Sequence, residues 1–289
     1  VCGEFLSPEI AGILDRLGVW REFEALAPPR ISRVHLAIES SEKRWALPEP
    51  AYGLSRFAFD DLLLRQAIAK GATIRREACA AIHYAAGHPT VIAHGRRASA
   101  PSGSRLFGFK AHFIGPVSDA IDLFFFGGCY VGVSSIENGE TNVCGLAPEP
   151  LLRAKNFEVE SLFALSPRFV ERIAPLTRAM DWLFTGPLIY RNSFRAQANP
   201  CEYLAGDALG FVDPFTGSGL LAAITTGRLA GIAAVRHLPV ERHMRDCQKL
   251  LGSQYGAAAL LRLALASGIA EKLARFVPGR LLFQWTRPR

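Results

Sequence analysis

The spacing of apolar positions along the chain separates helical stretches from strand-like ones. Apolar residues recur at helical spacing up to Leu17, which predicts a helix with Ser7 as its N-terminal cap. The same spacing from Phe59 to Ala67 predicts a second helix, and Ala72 to Arg75 then reads as a short strand. A helix that leads into a strand is the repeating unit of an α/β layer.

Other stretches alternate polar and apolar residues, as strands of a half-buried sheet do. Residues 31–45 predict strand with a turn near Ser40 to Lys43, and residues 105–146 predict four strands that we interpret as an antiparallel meander. Residues 150–182 return to helical spacing. Beyond them, strands are predicted at Leu188 to Arg195 and Glu202 to Ala205, and residues 240–277 are predicted to be helical. The alternation predicts an α/β (α+β) chain of two interleaved domains.

Composition narrows the class of protein. Half of the 289 residues are apolar, enough to bury a large core, and 33 basic against 26 acidic residues give a net charge of +7. The basic residues are scattered, so we do not expect nucleic acid as a partner. The six cysteines form no CxxC pair and no cluster with histidine at metal-ligand spacing, so we expect no metal site.

The longest apolar runs are interrupted by charged residues. Asp207, Asp213 and Arg228 break one run and Arg262 breaks another, so no stretch reaches the length of a transmembrane helix. We expect a cytoplasmic protein. The Ala/Leu-rich stretch from Ala257 to Ala266 leaves peripheral membrane contact open, although a helix that packs on the core is favoured.

The segment with the strongest chemical signal is glycine-rich. Tyr203 to Ala205 predicts a strand that leads into Gly206 and Asp207, and the loop then runs to a helix that begins near Gly219. Unpaired N–H groups at a helix N-terminus favour a pyrophosphate, and a carboxylate accepts hydrogen bonds from sugar hydroxyls. The pattern predicts a ligand loop.

The full string GDALGFVDPFTGSGLLAAITTGRLAG resembles the second FAD fingerprint of the p-hydroxybenzoate-hydroxylase-like and geranylgeranyl-reductase-like flavoproteins. The resemblance implies that Gly206 and Asp207 meet the ribityl and phosphate region of FAD. It further implies that four residues lie along the flavin ring and its helix end: Pro214, Gly217, Ser218 and Gly219.

Three other segments resemble the same superfamily. The loop around Cys2 and Gly3 resembles the one that approaches the flavin after the second strand of the FAD domain. Ser55-Arg56 resembles the motif whose arginine touches the cofactor, and Val91 to Arg97 resembles a strand that ends near the dinucleotide. The superfamily's N-terminal GxGxxG unit is not in this sequence, so the resemblance implies an N-terminally truncated FAD/NAD(P)-binding Rossmann-like domain.

The resemblance also implies how the chain is divided and what it does. It implies an FAD-binding domain over residues 1–30, 51–104 and 196–238, an antiparallel substrate domain over 31–50 and 105–195, and C-terminal helices over 239–289. The expected activity is that of an FAD-dependent reductase or monooxygenase, with NAD(P)H or another electron donor and an apolar, lipid-like or polyketide-like small molecule as substrate. Two alternatives stay open: a non-catalytic remnant, and a peripheral lipid-binding protein.

The strand residues supply candidates for the substrate side. Seven aromatic residues are candidates for an apolar pocket, of which alternation places half or more in plain core: Phe107, Phe109, Phe113, Phe124, Phe125, Phe126 and Tyr130. Lys110 and His112 lie on the same predicted strand, where we interpret His112 as structural. No catalytic residue is assigned.

Overall fold

The computed structural model describes residues 2–76, 87–95, 105–188, 200–211 and 217–266. The helices are α1 (Ile10–Leu17), α2 (Trp20–Ala25), α3 (Arg56–Ala69), α4 (Glu149–Ala154), α5 (Glu160–Phe163), α6 (Pro167–Ile173), α7 (Gly219–Val235) and α8 (Val240–Ala266). The strands are β1 (Phe5–Leu6), β2 (Arg30–Ile38), β3 (Ser41–Gly53), β4 (Thr90–Ile92), β5 (Leu106–Ile114), β6 (Ala120–Phe126), β7 (Cys129–Ser135), β8 (Glu140–Pro148), β9 (Thr177–Arg178), β10 (Leu183–Leu188) and β11 (Glu202–Leu204).

Nine strands form one large sheet in the order β1-β3-β2-β6-β7-β8-β5-β10, with β9 also paired to β5. All of its ladders are antiparallel except that between β2 and β6, in which Arg33 pairs with Ala120 and Ile38 with Phe125. The parallel ladder joins the N-terminal hairpin of β2 and β3 to the later strands. The sheet is therefore built from two distant parts of the chain.

The two faces of this sheet differ. One face packs under α4, α5 and α6, and its apolar core includes Phe109, Phe124 and Phe169, each no more than 1% exposed. Strand alternation places Lys110 and His112 on the opposite face, together with Tyr130 and Leu146. A polar pair therefore lies on the face that the three short helices do not cover.

The second layer contains a parallel two-stranded sheet of β4 and β11, in which Tyr203 pairs with Val91. The long helices α7 and α8 pack on it through a separate apolar core. Tyr203 Oη donates a hydrogen bond to the backbone oxygen of Leu238, 2.7 Å away, and ties this sheet to the connection between the helices. A strand, a loop and a helix thus follow each other from β11 to α7, as the sequence predicts.

The structure corrects four local predictions. The helix predicted to begin at Ser7 begins at Ile10 because residues 7–10 form a turn in which Ile10 N donates to Ser7 O over 2.9 Å. Ala72 to Arg75 is exposed and irregular rather than a strand. The four predicted strands are not a simple meander, since β5 pairs with β8 and not with β6. The strand predicted at Leu188 to Arg195 instead ends at Leu188, and residues 189–199 lie outside the described ranges.

Within the described residues, no helix has both the length and the apolar character needed to cross a bilayer.

Candidate functional site

The predicted ligand loop begins with a sharp turn. Gly206 has a positive φ of 57°, and its N–H donates to Thr226 Oγ1 over 2.9 Å. A Cβ at Gly206 would stand 3.4 Å from the Cβ of Ala223, so the loop lies close against α7. Asp207 follows in a short 3₁₀ turn, Gly206–Ala208, with its side chain on the exposed side. The chain therefore presents the Asp207 carboxylate at the carboxyl end of β11.

The same loop ends at the N-terminus of α7. Gly217 has a positive φ of 59° and packs against the ring of Phe5, which a Cβ at Gly217 would approach to 3.1 Å. Ser218 is fully buried, and its side chain makes no cap hydrogen bond to α7. A Cβ at the exposed Gly219 would meet nothing within 4 Å. In the described part of the chain, the cap side chain thus leaves the first N–H groups of this 17-residue helix for another group that accepts hydrogen bonds.

The segment Cys2 to Phe5 lies beside that turn, because Phe5 contacts Gly217. Gly3 is exposed, and a Cβ there would also meet nothing within 4 Å. The backbone oxygen of Cys2 accepts a hydrogen bond from Asn142 Nδ2 over 3.2 Å, whereas Asn142 Oδ1 is buried without a partner among the described residues. The space over the glycines, the open helix turn and the unpaired acceptor fit the flavin end of FAD.

Arg56, the predicted cofactor-contacting arginine, is the first residue of α3. Its guanidinium donates to both oxygens of Asp60, at 2.9 and 2.8 Å, and this hydrogen bonding, with a smaller contribution from Cys2, raises the pKa of Arg56. The structure therefore places Arg56 next to Cys2.

Two buried carboxylates hold the start of α3. Ser55 caps the helix by accepting from Ala58 N, and the N–H of Ser55 donates to Glu137 Oε2 over 2.8 Å. The N–H of Arg56 donates to Glu4 Oε1 over 2.9 Å. Negative charge at a helix N-terminus is stabilised by the unpaired N–H groups there. These bonds fix the Cys2 to Phe5 segment against α3 and the large sheet.

Glu4 is the centre of a buried charged cluster that the sequence did not reveal. Its side chain is 1% exposed and forms an ion pair with Lys110 Nζ, while its other oxygen lies 2.8 Å from His112 Nε2. The other ring nitrogen of His112, Nδ1, lies 3.0 Å from Glu140 Oε2. Glu4 adopts a positive φ of 54°, an uncommon backbone conformation for a residue with a side chain. The cluster joins the Cys2 to Phe5 segment to β5 and β8.

The cluster controls the ionisation of Glu4. Burial alone would raise the pKa of its carboxyl, but the hydrogen bond with His112 and the positive charge of Lys110 outweigh burial and leave that pKa below its ordinary value. Cys144 pairs with Lys110 across the ladder, and burial raises the pKa of its thiol to about 12. Glu4 is therefore charged, and Cys144 is a protonated thiol, at neutral pH.

One part of this cluster, the shared position of Lys110 and His112 on a strand, could be predicted from the sequence. Lys110 and His112 are two residues apart on a strand, so they share a face, and a buried lysine needs a counter-ion. The counter-ion, Glu4, lies 106 positions away in sequence, and only the fold brings it near. His112 is a strand histidine whose ring nitrogens both lie next to carboxylates, which agrees with its structural interpretation, and these carboxylates make it part of the cluster.

The predicted aromatic pocket divides between the two faces of the sheet. Phe109, Phe113, Phe124 and Phe126 are buried under the short helices, and Phe107 packs against the same core. Phe125 and Tyr130 lie on the other face, where their rings are tilted by 40° to each other with 4.9 Å between ring centroids. There they join a group of apolar residues that includes Phe211 of the glycine-rich loop: Leu106, Leu123, Leu146, Leu188 and Phe211. We call this group, with Phe125 and Tyr130, the apolar patch.

Four residues of the predicted FAD segments stand apart from this geometry. Pro214 lies outside the described residues, as do Arg96 and Arg97 at the end of the predicted dinucleotide segment. His94 is exposed, and its Nδ1 lies 2.9 Å from the backbone oxygen of Gly95. Of the other predicted residues, Arg56 lies next to Cys2, Gly217 contacts Phe5, and Gly206 packs against Ala223 of α7.

No protein-family model matches the sequence, and no curated protein matches it. Solved structures do match. A triple mutant of a flavin-dependent brominase superposes with a TM-score of 0.78 at 17% identity, over 99% of this chain and 84% of that one. A flavoprotein/dehydrogenase from Cytophaga hutchinsonii gives 0.73 at 16% identity, over 88% and 75% of the two chains. A geranylgeranyl bacteriochlorophyll reductase-like protein from Thermoplasma acidophilum gives 0.66 at 17% identity, over 98% and 80%. At these identities the likeness concerns the fold alone, and the chain shares the mixed α/β fold of these structures, as the sequence predicts.

Proposed function

We propose that the chain is an FAD-dependent oxidoreductase, a reductase or a monooxygenase, that acts on an apolar small molecule. The observation that carries the proposal is the meeting of the Cys2 to Phe5 segment with the open first turn of α7, through the contact of Phe5 with Gly217. Both segments resemble flavin-binding segments, they lie far apart in sequence, and the fold brings them together. The flavin-dependent names of the structural neighbours support the same cofactor.

This arrangement supports the residues that we assign to FAD. Asp207 would accept hydrogen bonds from the ribityl hydroxyls, and the N–H groups that open α7 would donate to the cofactor beside Ser218 and Gly219. Gly3 and Gly219 leave room for a flat ring because neither carries a side chain. When bound, FAD supplies hydride transfer or the reduction of dioxygen, with NAD(P)H as the proposed electron donor. This chain's own residues position the reactants and exclude water.

The proposed substrate surface is the apolar patch. It lies on the face of the sheet opposite α4, α5 and α6, where Tyr130, Leu146 and Leu188 are buried and the other members are partly buried, and Phe211 links it to the glycine-rich loop. Burying apolar substrate surface there contributes about 25 cal/mol for each Å² removed from water. An apolar lipid-like or polyketide-like molecule suits this surface.

The test is an FAD titration of the purified chain, followed by flavin fluorescence quenching and by the visible absorption of the protein. We expect saturable binding by the wild-type protein. Asp207→Ala should weaken it about tenfold, a loss of about 1.4 kcal/mol. Asp181→Ala, which removes another exposed carboxylate, and His112→Ala should leave the affinity unchanged.

Failure of the wild-type chain to bind FAD would support the competing hypothesis of a folded but non-catalytic remnant. Unchanged affinity in Asp207→Ala would instead refute only the placement of the ribityl contact. The peripheral lipid-binding hypothesis predicts that the chain sediments with anionic liposomes and that removal of residues 256–289 abolishes this sedimentation.

A further inference from the structure

The charged cluster around Glu4 has an order along the sheet. Glu140 stands at the start of β8 with its side chain 36% exposed, and it contacts His112 Nδ1 at 3.0 Å. His112 Nε2 contacts Glu4 Oε2 at 2.8 Å, and Glu4 Oε1 contacts Lys110 Nζ. Exposure falls from the first carboxylate to the second, which is 1% exposed. The four side chains thus form a continuous chain of polar contacts inward from solvent: Lys110 and His112 each hydrogen-bond to Glu4, and Glu140 lies at ion-pair distance from His112.

The inner end of the path faces the apolar patch. Leu106, Gly108 and Lys110 lie on the same face of β5. Gly108 pairs with Leu146 of β8. Leu106 and Leu146 belong to the patch. Glu4 directly follows Gly3, which borders the proposed flavin space. The path therefore ends where the proposed substrate and cofactor surfaces meet.

We propose that Glu140, His112, Glu4 and Lys110 are a proton relay that delivers protons from solvent to the reacting groups. The proposal rests on the proposed function. Lys110 Nζ gives a proton to the acceptor, the ionised carboxylate of Glu4 then takes a proton from His112 Nε2 and passes it to Lys110, and His112 takes one at Nδ1 from Glu140, which takes one from water. For each proton that Lys110 releases, one enters at Glu140, and no electron moves through the relay.

The chemistry of the proposed reactions requires such a proton. Reduction of a carbon–carbon double bond by hydride transfer needs one proton to complete the product. Conversion of dioxygen to hydrogen peroxide takes two electrons and two protons, of which bound reduced FAD would supply both electrons and one proton. A buried site must obtain the second proton through the protein, and a positioned acid accelerates such a transfer by about 10²-fold or more.

A second histidine offers a matched control. His35 also bridges two carboxylates, with Nδ1 3.2 Å from Asp122 Oδ1 and Nε2 3.3 Å from Glu42 Oε2. Its side chain is as buried as that of His112, at 15% against 17% exposed. It lies on the helix-covered face of the sheet, where its ring contacts Phe124. His35 therefore shares the local chemistry of His112 but not its position.

The first experiment uses FAD-loaded protein reduced by dithionite under nitrogen and then mixed with dissolved dioxygen at neutral pH. The recovery of flavin absorbance gives the rate of reoxidation. We expect His112→Ala to slow this rate at least about tenfold, added imidazole to restore it, and His35→Ala to leave it unchanged. Because a misfolded protein would not respond to imidazole, the rescue separates proton transfer from a structural defect. Equal rates in the two alanine variants, or a slow rate that imidazole does not restore, would overturn the relay.

The second experiment needs no cofactor. Exchange of the His112 imidazole N–H with water is followed in histidine-labelled protein by ¹⁵N-edited NMR. We expect Glu140→Gln to slow the exchange several-fold, since it removes the outer proton acceptor, and Glu42→Gln to have no effect. Unchanged exchange in Glu140→Gln would contradict the path. Failure of the wild-type protein to bind FAD would refute the proposed function in the titration itself, before the reoxidation is measured.

Discussion

Two histidines in the large sheet each bridge a pair of carboxylates, yet they join different parts of the molecule. His35, Glu42 and Asp122 belong to β2, β3 and β6, which are neighbours in the sheet, so their bridge reinforces ladders that already exist. His112 joins β5 and β8 to Glu4, which lies in the segment beside the proposed flavin space. A histidine between two carboxylates therefore reinforces the sheet in one place and links two layers in the other.

The largest expected difference between the bridges is in stability. Glu4→Gln leaves the buried ammonium of Lys110 without a counter-ion, and we expect the free energy of unfolding to fall by about 3 kcal/mol. The corresponding change in the other bridge, Glu42→Gln, removes a half-exposed carboxylate and should cost less than about 1 kcal/mol. Urea unfolding at pH 7 measures both values. Equal losses would show that Glu4 is no more than a surface partner.

The pH dependence of unfolding should separate the bridges next. Because the folded-state pKa of Glu4 lies below its ordinary value of 4.5, its contribution to stability is fully present above that value and is lost as the pH falls through the folded pKa. The difference in unfolding free energy between wild type and Glu4→Gln should thus be constant from pH 7 to about 5 and shrink below 4.5. Urea titrations at steps between pH 7 and 3 test this. A difference in unfolding free energy that grows as the pH falls would contradict the lowered pKa of Glu4.

A smaller effect is expected on cofactor affinity. Glu4→Gln loosens the segment that carries Cys2 and Gly3, and we expect it to weaken FAD binding about five-fold, which is about 1 kcal/mol. Asp122→Asn, which alters the inner carboxylate of the other bridge, should leave FAD affinity unchanged. Fluorescence titrations on both variants measure the effect. Equal weakening in the two variants would show that the loss comes from general destabilisation of the sheet.

The smallest effect concerns salt. The Debye length falls to about 3 Å at 1 M ionic strength, so interactions of exposed charges are screened while buried ones are much less so. The small difference in melting temperature between wild type and Glu42→Gln should vanish in 1 M NaCl, whereas that of Glu4→Gln should persist. Thermal melts at low and high salt measure both. Persistence of the Glu42→Gln difference at high salt would place that carboxylate in a less solvated environment than its exposure indicates.

The sequence predicted the elements that depend on local pattern. Ser55 does cap α3, the strand and helix on either side of the glycine-rich loop are where the spacing places them, and Gly206 and Gly217 have positive φ values that suit glycine. Side-chain alternation also correctly implied that most of the seven aromatic residues lie in plain core.

What the sequence did not reveal depends on pairing between distant segments. The order of strands in the sheet is set by which edges meet, and the parallel ladder of β2 with β6 spans more than 80 residues. Glu4 sits in a short segment with no periodicity, so its burial and its ion pair with Lys110 follow only from the assembled fold. The charged cluster is therefore a property of tertiary structure, which local pattern does not encode.

The parallel ladder of β2 with β6 has a consequence for synthesis on the ribosome. The hairpin of β2 and β3 is complete once Gly53 has emerged, but its free edge waits until β6, which ends at Phe126, has been translated and has left the exit tunnel. At about 5 to 20 residues per second the hairpin spends several seconds with an unpaired edge. Such an edge is a template for wrong pairing with other chains, so slower translation between these strands should lower the yield of folded protein.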